Sequence, residues 1–249
     1  MLAAERHEKI LEIVQNKGSV LVEELAQNLG VSTMTIRRDL EKLQASGRIS
    51  RCHGGAVANH EEDYAKKQVS HNEDKRKLAA IAAALVGRSA SVYLDAGTTT
   101  YEIAKFLKQR EDLMIVTNDL EIARVINEGK PELMVCGGFV QKSTGSMWGS
   151  YSAQMMKNIV VDVGFFGAAT INDRFQVLTP TANKAFLKRM VAENCQQSYL
   201  VVDDSKFSRQ AMNVINDLSD YSAVITNRRF TEKERQLLEK MKVEIKGME

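Results

Sequence analysis

The stretch VSTMTIRRDLEKLQASGRISRCHGG, residues 31–55, decides how the first part of the chain is read. Ser32 stands where a helix cap belongs, and Ile36, Leu40 and Leu43 then recur at helical spacing on one face. At about 100° per residue the opposite side carries Met34, Arg38 and Glu41, flanked by Thr35, Arg37 and Lys42. A helix that buries one stripe and offers arginine and threonine on the other suits the floor of a DNA major groove. After Gly47 the run RISRCHGGAV alternates around Gly54-Gly55, which predicts a β-hairpin whose Arg48, Arg51 and His53 reach a phosphate backbone.

Upstream lie two further apolar stripes. Ile10, Leu11, Ile13 and Val14 form the first, stopped by Lys17-Gly18, and Leu25, Ala26 and Leu29 form the second, closed by Gly30. Helix, glycine turn, helix and hairpin together spell a winged helix-turn-helix. Its candidate DNA-contacting residues are Ser32, Thr33, Met34, Thr35, Arg37, Arg38, Arg48, Arg51 and His53. The first two helices are acidic, so the positive field is expected on one side only. Cys52 is read as a small packing residue.

The whole chain bounds the remaining possibilities. Its 249 residues carry a net charge of only +2, with 44% hydrophobic and 27% charged residues, so the protein is expected to be globular and any case for nucleic acid must be local. Cys52, Cys136 and Cys195 are far apart and odd in number, which suits a reducing cytosol, and the single Cys52-His53 adjacency offers no metal site. No apolar run approaches bilayer length and the N-terminus becomes charged at once. A cytoplasmic chain with no membrane partner is the expectation.

Residues 58–73, ANHEEDYAKKQVSHNE, are polar and lack periodicity. They predict a linker dividing a DNA-binding domain, 1–57, from a second domain, 74–249. In the latter, short strands rich in Val, Ile and Leu (SVYLD, LMIVT, ELMVC, DVGFFGA, SYLVVD, SAVIT) alternate with helical segments. That pattern means an α/β domain with a mostly parallel open sheet covered on both faces.

Such sheets bind ligands beyond the carboxyl ends of their strands. There the sequence places Asp95 to Thr100, Thr117-Asn118-Asp119, Gly137-Gly138, Gly167 to Thr170 and Asp203 to Lys206, all expected to converge on one crevice. Gly97 is expected to let the backbone turn sharply, so that the amides and hydroxyls of Thr98, Thr99 and Thr100 form a phosphate cradle. Threonines before a helix also serve as plain caps, Asp119 with Thr117-Asn118 can do the same, and Gly137-Gly138 can be a bare turn. Candidate effector-binding residues are Asp95, Gly97, Thr98, Thr99, Thr100, Thr117, Asn118, Gly137, Gly138 and Lys206. Lys188 and Arg189 are assigned to the solvent face of their helix, and Trp148 to packing. Neither the lysine-bearing nucleotide loop nor the dinucleotide fingerprint is present, so no cofactor is expected. Asp95 with Asp203 or Asp204 and Lys206 is the sole acid-base grouping, and no histidine or serine elbow supports it, so no catalytic residue is assigned.

Taken in order, Thr35-Ile36-Arg37-Arg38-Asp39-Leu40 with Gly54-Gly55, Asp95-Ala96-Gly97-Thr98-Thr99, Thr117-Asn118, Gly137-Gly138 and Asp204-Ser205-Lys206-Phe207 resemble the DeoR family of bacterial transcription regulators over nearly the full length. The resemblance implies a winged helix-turn-helix joined to a sensor domain similar to ribose-5-phosphate isomerase. It further implies that a phosphorylated sugar or related metabolite alters affinity for double-stranded operator DNA. Members usually repress carbohydrate-use operons and form homo-oligomers, dimers or tetramers. Two departures stand out: Arg88 and serines replace a common Gly-Asp turn before the first sensor strand, and Thr181, Ala182, Asn183 and Lys184 replace acidic residues at a helix start. The second implies an effector that is more anionic or differently shaped. The alternative is an active sugar-phosphate isomerase with an accessory DNA-binding domain, but CGGFVQKSTGSMWG supplies no acidic loop for a base, so no enzyme is expected.

Overall fold

The computed structural model describes residues 1–17, 19–46, 48–52, 54–58 and 64–247, by backbone alone at 15–17, 19, 50–52, 57–58 and 66. The chain opens with α1 (Ala3–Lys17), β1 (Ser19–Leu21), α2 (Val22–Leu29), α3 (Thr33–Ala45), β2 (Ile49–Cys52) and β3 (Gly55–Ala58). α2 ends at Gly30 in the left-handed conformation, and Ser32 caps α3 by accepting the Thr35 amide at 3.2 Å. The strands form an antiparallel sheet in the order β1-β3-β2. Gly55 is required in it: a Cβ there would lie 2.1 Å from the Val20 carbonyl oxygen, so β3 approaches β1 backbone to backbone.

Ile10, Leu25, Ile36 and Leu40 are fully buried in one apolar cluster of this segment, as their spacing predicts. Asp39 lies among them at 3% exposure, paired with α1. Arg6 Nε donates to its Oδ2 at 2.6 Å, and His7 Nε2 lies 2.9 Å from Oδ1. Burial pushes this carboxyl up, the Arg6 and His7 hydrogen bonds pull it down, and the pull prevails.

Next come α4 (Tyr64–Val69), α5 (Asn72–Ala84), β4 (Ser91–Leu94), α6 (Thr98–Leu107), β5 (Met114–Thr117), α7 (Leu120–Asn127), β6 (Glu132–Val135), β7 (Phe139–Val140), β8 (Met147–Trp148) and α8 (Ser150–Lys157). They are followed by β9 (Val161–Phe166), β10 (Thr170–Ile171), β11 (Gln176–Thr179), α9 (Ala182–Glu193), β12 (Cys195–Val202), β13 (Asn213–Asp217), β14 (Ala223–Thr226), α10 (Glu232–Lys240) and β15 (Ile245–Gly247). All six sequence-predicted strands join one parallel sheet, ordered β15-β14-β12-β9-β4-β5-β6. It is covered on both faces: Val92 and Leu94 belong to a cluster with α5, α6 and α7, while Tyr93 between them belongs to one with α8, α9 and α10. Among the described residues no helix is long and apolar enough to cross a membrane.

Three features depart from the sequence expectation. α4 and the first turn of α5 occupy part of 58–73, where six helical residues are too few to show a period. β15 closes one sheet edge. A small antiparallel sheet, β10-β11-β13, and the β7-β8 hairpin are built from segments too short to alternate visibly.

The strand order also has a switch point. From β4 the chain steps outward through β5 to β6, then returns to place β9 on the other side of β4. The connections diverge there, leaving a crevice at the carboxyl ends of β4 and β9. Beside it, Asp119 caps α7, accepting the Glu121 and Ile122 amides at 2.8 and 3.1 Å. Burial pushes its carboxyl up to about 6, against the pull of those amides.

Two stability predictions follow from these aspartates. Asp39→Asn should lower denaturant stability by about 1–3 kcal/mol at neutral pH, because Arg6 loses its charged partner. Since the folded pKa is lowered, that contribution is full above the ordinary carboxylate range and lost as pH falls below it through the folded pKa, so variant and parent should converge in acid. Asp119 has the opposite sign: its raised pKa means it disfavours the folded state at pH 7, by about 3 kcal/mol at most, and this relaxes as pH falls through 6. Asp119→Asn keeps a good cap and should abolish that part of the pH dependence in thermal melts between pH 7 and 5.

Candidate functional site

The solvent face of α3 is the first candidate. Ile36, Leu40 and Leu43 are turned inward, leaving Ser32, Thr33, Met34, Arg37 and Arg38 exposed and Thr35 half-buried. The Ser32 and Thr35 hydroxyls are 3.0 Å apart, so the cap also fixes the Thr35 side chain. Arg37 and Arg38 have no acidic partner among the described residues. Arg48 is exposed as well, and its guanidinium donates to Glu8 of α1 at 2.8 and 3.4 Å, where the hairpin start runs beside α1. Glu8 is correspondingly held below the usual carboxylate range, the Arg48 hydrogen bond being the main cause. The Arg51 side chain and His53 lie outside the described residues, as do the Cys52 side chain and Gly18.

The second candidate is the switch-point crevice. Asp95, fully buried after β4, accepts the Gly167 amide from the end of β9 at 3.1 Å. Lys188 of α9 donates to the same Asp95 oxygen and, at 3.0 Å, to the Gly167 carbonyl. Lys188 therefore points into the crevice and not to solvent. Arg189 is also engaged, donating to the Ile215 and Val214 carbonyls at 2.7 and 2.8 Å. The crevice is lined by Lys67, Ala96, Gly97, Thr98, Thr99, Gly167, Ala168, Ala169, Thr179, Lys188, Val201, Val202 and Lys206. Three lysines line it, and no carboxylate does among the described residues.

Thr98 and Thr99 are only 6% and 7% exposed, and their hydroxyls have no hydrogen-bond partner among the described residues. The first intrahelical bond of α6 is Tyr101 N–H to Gly97 O at 2.9 Å, so the amides of Thr98 to Thr100 have no intrahelical acceptor. Gly97 does not make a sharp turn: its φ of 164° and ψ of 162° are extended backbone. Thr100 does not face the crevice, since its hydroxyl donates to the Gly97 carbonyl at 2.9 Å and to that of Asp95 at 2.5 Å.

The switch point explains which other expectations converge. Lys206, after β12, reaches the crevice beside β9. β5 and β6 run away on the far side of β4, and their termini take other roles. Thr117 donates to the Leu94 carbonyl at 2.7 Å. Asn118 accepts from the Tyr93 hydroxyl and the Ala96 amide at 3.0 and 3.1 Å and donates to the Met147 carbonyl at 3.0 Å. Both thus hold the Asp95–Gly97 loop from behind. Gly137 and Gly138 are a packing turn: a Cβ on Gly138 would lie 2.4 Å from the Trp148 carbonyl oxygen, and Gly137 O accepts the Ser152 hydroxyl at 2.6 Å. Trp148 packs on Phe139, centroids 5.6 Å apart.

Lys67 and Lys188 were missed by sequence reasoning. On the same helix as Lys188, Lys184, 8% exposed, donates to the Thr144 hydroxyl at 3.3 Å. As possible cation ligands, His71, Asp203 and Asp204 offer atoms within 4.8 Å of one another, Asp203 being buried and the others exposed. Asp203 already accepts from the Ser205 amide at 3.0 Å and from its hydroxyl.

Comparison with known proteins agrees with both halves. A DeoR-like helix-turn-helix domain matches residues 6–62 and a DeoR C-terminal sensor domain matches residues 70–228. A glycerol-3-phosphate regulon repressor of Haemophilus influenzae is 33% identical, covering 89% of this chain and 88% of its own. A putative aga operon transcriptional repressor of Escherichia coli O157:H7 is 32% identical over 90% of this chain and 86% of its own. Among solved structures, ribose 5-phosphate isomerase A of Methanocaldococcus jannaschii covers 55% of this chain and 55% of its own, at 17% identity and a TM-score of 0.42, too loose to carry an argument about chemistry. With both domains matched in order and repressors aligned over nearly its whole length, the chain belongs to the DeoR family of helix-turn-helix transcriptional regulators.

Proposed function

We propose that this regulator represses a carbohydrate-use operon by placing α3 in the major groove of double-stranded operator DNA, under control of a phosphorylated sugar or related metabolite bound in the switch-point crevice. The observation that carries the sensing half is the crevice lining: Lys67, Lys188 and Lys206 share it with Thr98 and Thr99, whose hydroxyls have no partner among the described residues, and no described lining residue is acidic. Ammonium groups, hydroxyls and helix-start amides are all donors, a set that matches a phosphate. The relative named for a glycerol-3-phosphate regulon supports a small phosphorylated polyol as the ligand class. An isomerase would need a base facing the bound sugar. One Asp95 oxygen is occupied by Lys188 and Gly167, and no described residue of the lining is a carboxylate.

In this reading residues 1–57 bind DNA, 74–249 sense the effector and 58–73 join them. Thr35, Arg37 and Arg38 read bases, with Ser32, Thr33 and Met34 at the helix start. Two copies in a cytoplasmic homo-oligomer engage half-sites about one helical turn, or a multiple, apart. Arg38→Ala should cost about 1–3 kcal/mol of operator discrimination if Arg38 bonds a guanine. Titration on operator and random DNA checks this, and equal loss on both makes Arg38 a phosphate contact.

Thermal unfolding against a panel of phosphorylated and unphosphorylated sugars and polyols, glycerol 3-phosphate included, tests the sensor. A ligand at 100 times its dissociation constant should stabilise by about 2.7 kcal/mol. Thr99→Glu should remove that shift while sparing DNA binding, since a carboxylate repels the phosphate. A full shift in Thr99→Glu would place the ligand elsewhere.

A further inference from the structure

Lys67 enters the crevice from a segment that belongs neither to the sheet nor to its covering helices. It lies on α4, between the β2-β3 hairpin and α5, and lines the same cavity as Thr98, Thr99 and Lys188. α4 has six residues, well below the length at which a helix is stable on its own, and none of its described residues is buried. Val69 is 82% exposed.

Contacts at both of its ends hold α4 in place. At its end, the ammonium of Lys75, 2% exposed, donates to the Ser70 carbonyl at 2.6 Å and to that of Lys67. At its start, the Tyr64 amide donates to the Ser143 carbonyl at 2.9 Å, and the Tyr64 ring meets Tyr101 of α6 edge-on with centroids 6.3 Å apart. The Tyr64 hydroxyl is buried there without a partner, a cost against the docked position. With so little apolar burial, docking lies at the low-stability end of the fold, where one additional ionic contact shifts the balance.

Resting on the reading of the crevice as an anion site, we propose that Lys67 is an effector-binding residue through which occupancy reaches the DNA-binding segment. A phosphate held by the Thr98 and Thr99 hydroxyls and Lys188 also takes the Lys67 ammonium, and so binds the docked form of α4 more tightly than an undocked one. A ligand with such differential affinity shifts the population toward the docked form. Because the winged helix-turn-helix precedes α4 by only a few residues, docking fixes where its chain leaves the sensor. Occupancy is thereby converted into a restriction on how two DNA-binding segments are spaced.

The test compares the full-length protein with Lys67→Gln and Lys67→Arg. Inorganic phosphate, and the panel compound giving the largest thermal shift with the parent, serve as probes. Hydrogen exchange of the amides of 64–70 is measured with and without probe, alongside operator affinity. In the parent, saturating probe should slow that exchange about tenfold and change operator affinity. Lys67→Gln should bind the probe about tenfold more weakly and, even when saturated, show neither effect, while Lys67→Arg should retain both. Melting of the ligand-free variants is compared with the parent to separate a loss of folding from a loss of binding; both variants keep the backbone carbonyl of residue 67 that accepts from Lys75. If the parent is stabilised by a probe and Lys67→Gln matches it in exchange and operator response, this proposal is wrong and the anion reading stands. If no phosphorylated compound stabilises the parent, the anion reading fails and takes this proposal with it.

Discussion

The crevice depends on one carboxylate at the point where the sheet reverses its winding. Asp95 ends β4, accepts the Gly167 amide from the end of β9 and pairs with Lys188 of α9. A buried carboxylate is costly unless charged and hydrogen-bonded partners meet it, so its position constrains all three. The β4 and β9 ends are thereby held together below the crevice, and α9 is fixed in rotation with Lys188 facing inward. The Asp95 carbonyl, on the same residue, also receives the Thr100 hydroxyl that ties down the start of α6.

The DNA-binding segment uses the same device. Asp39, on the inner side of α3, is buried against Arg6 and His7 of α1. Apolar packing alone leaves a helix some freedom to roll or slide over its neighbours. A directional ion pair at the core edge removes that freedom and fixes the angle at which α3 presents Arg37 and Arg38 to solvent. In both places an aspartate adjoins the functional helix and points away from the functional surface. Such pairs contribute orientation more than net stability, since desolvation offsets much of their attraction.

The two surfaces differ in how their charge is assembled. On α3 the arginines come from consecutive positions of one helix and repel each other in water, where screening is strong. In the crevice the three lysines come from α4, α9 and the turn after β12, segments far apart in sequence. Asp95 directly beneath Lys188 offsets part of their mutual repulsion, so the crevice does not hold an uncompensated cluster of like charge.

The sequence by itself determined the elements and their faces: the Ile36, Leu40 and Leu43 stripe of α3, the hairpin at Gly54-Gly55, and six of the seven parallel strands. It also marked Thr98 and Thr99 as the residues at the mouth of the fold. These are local properties, set by side-chain period, capping and turn chemistry within a few residues. Only the tertiary structure decided which strand ends share a crevice, because that follows from strand order, which no local period encodes. Thr117, Asn118, Gly137 and Gly138 carry ligand-site residue types but lie on the diverging side of β4, so they support the loop or pack a turn. Lys188 and Lys67 look like solvated lysines in sequence and become crevice residues because Asp95 turns one inward and Lys75 holds the helix that carries the other.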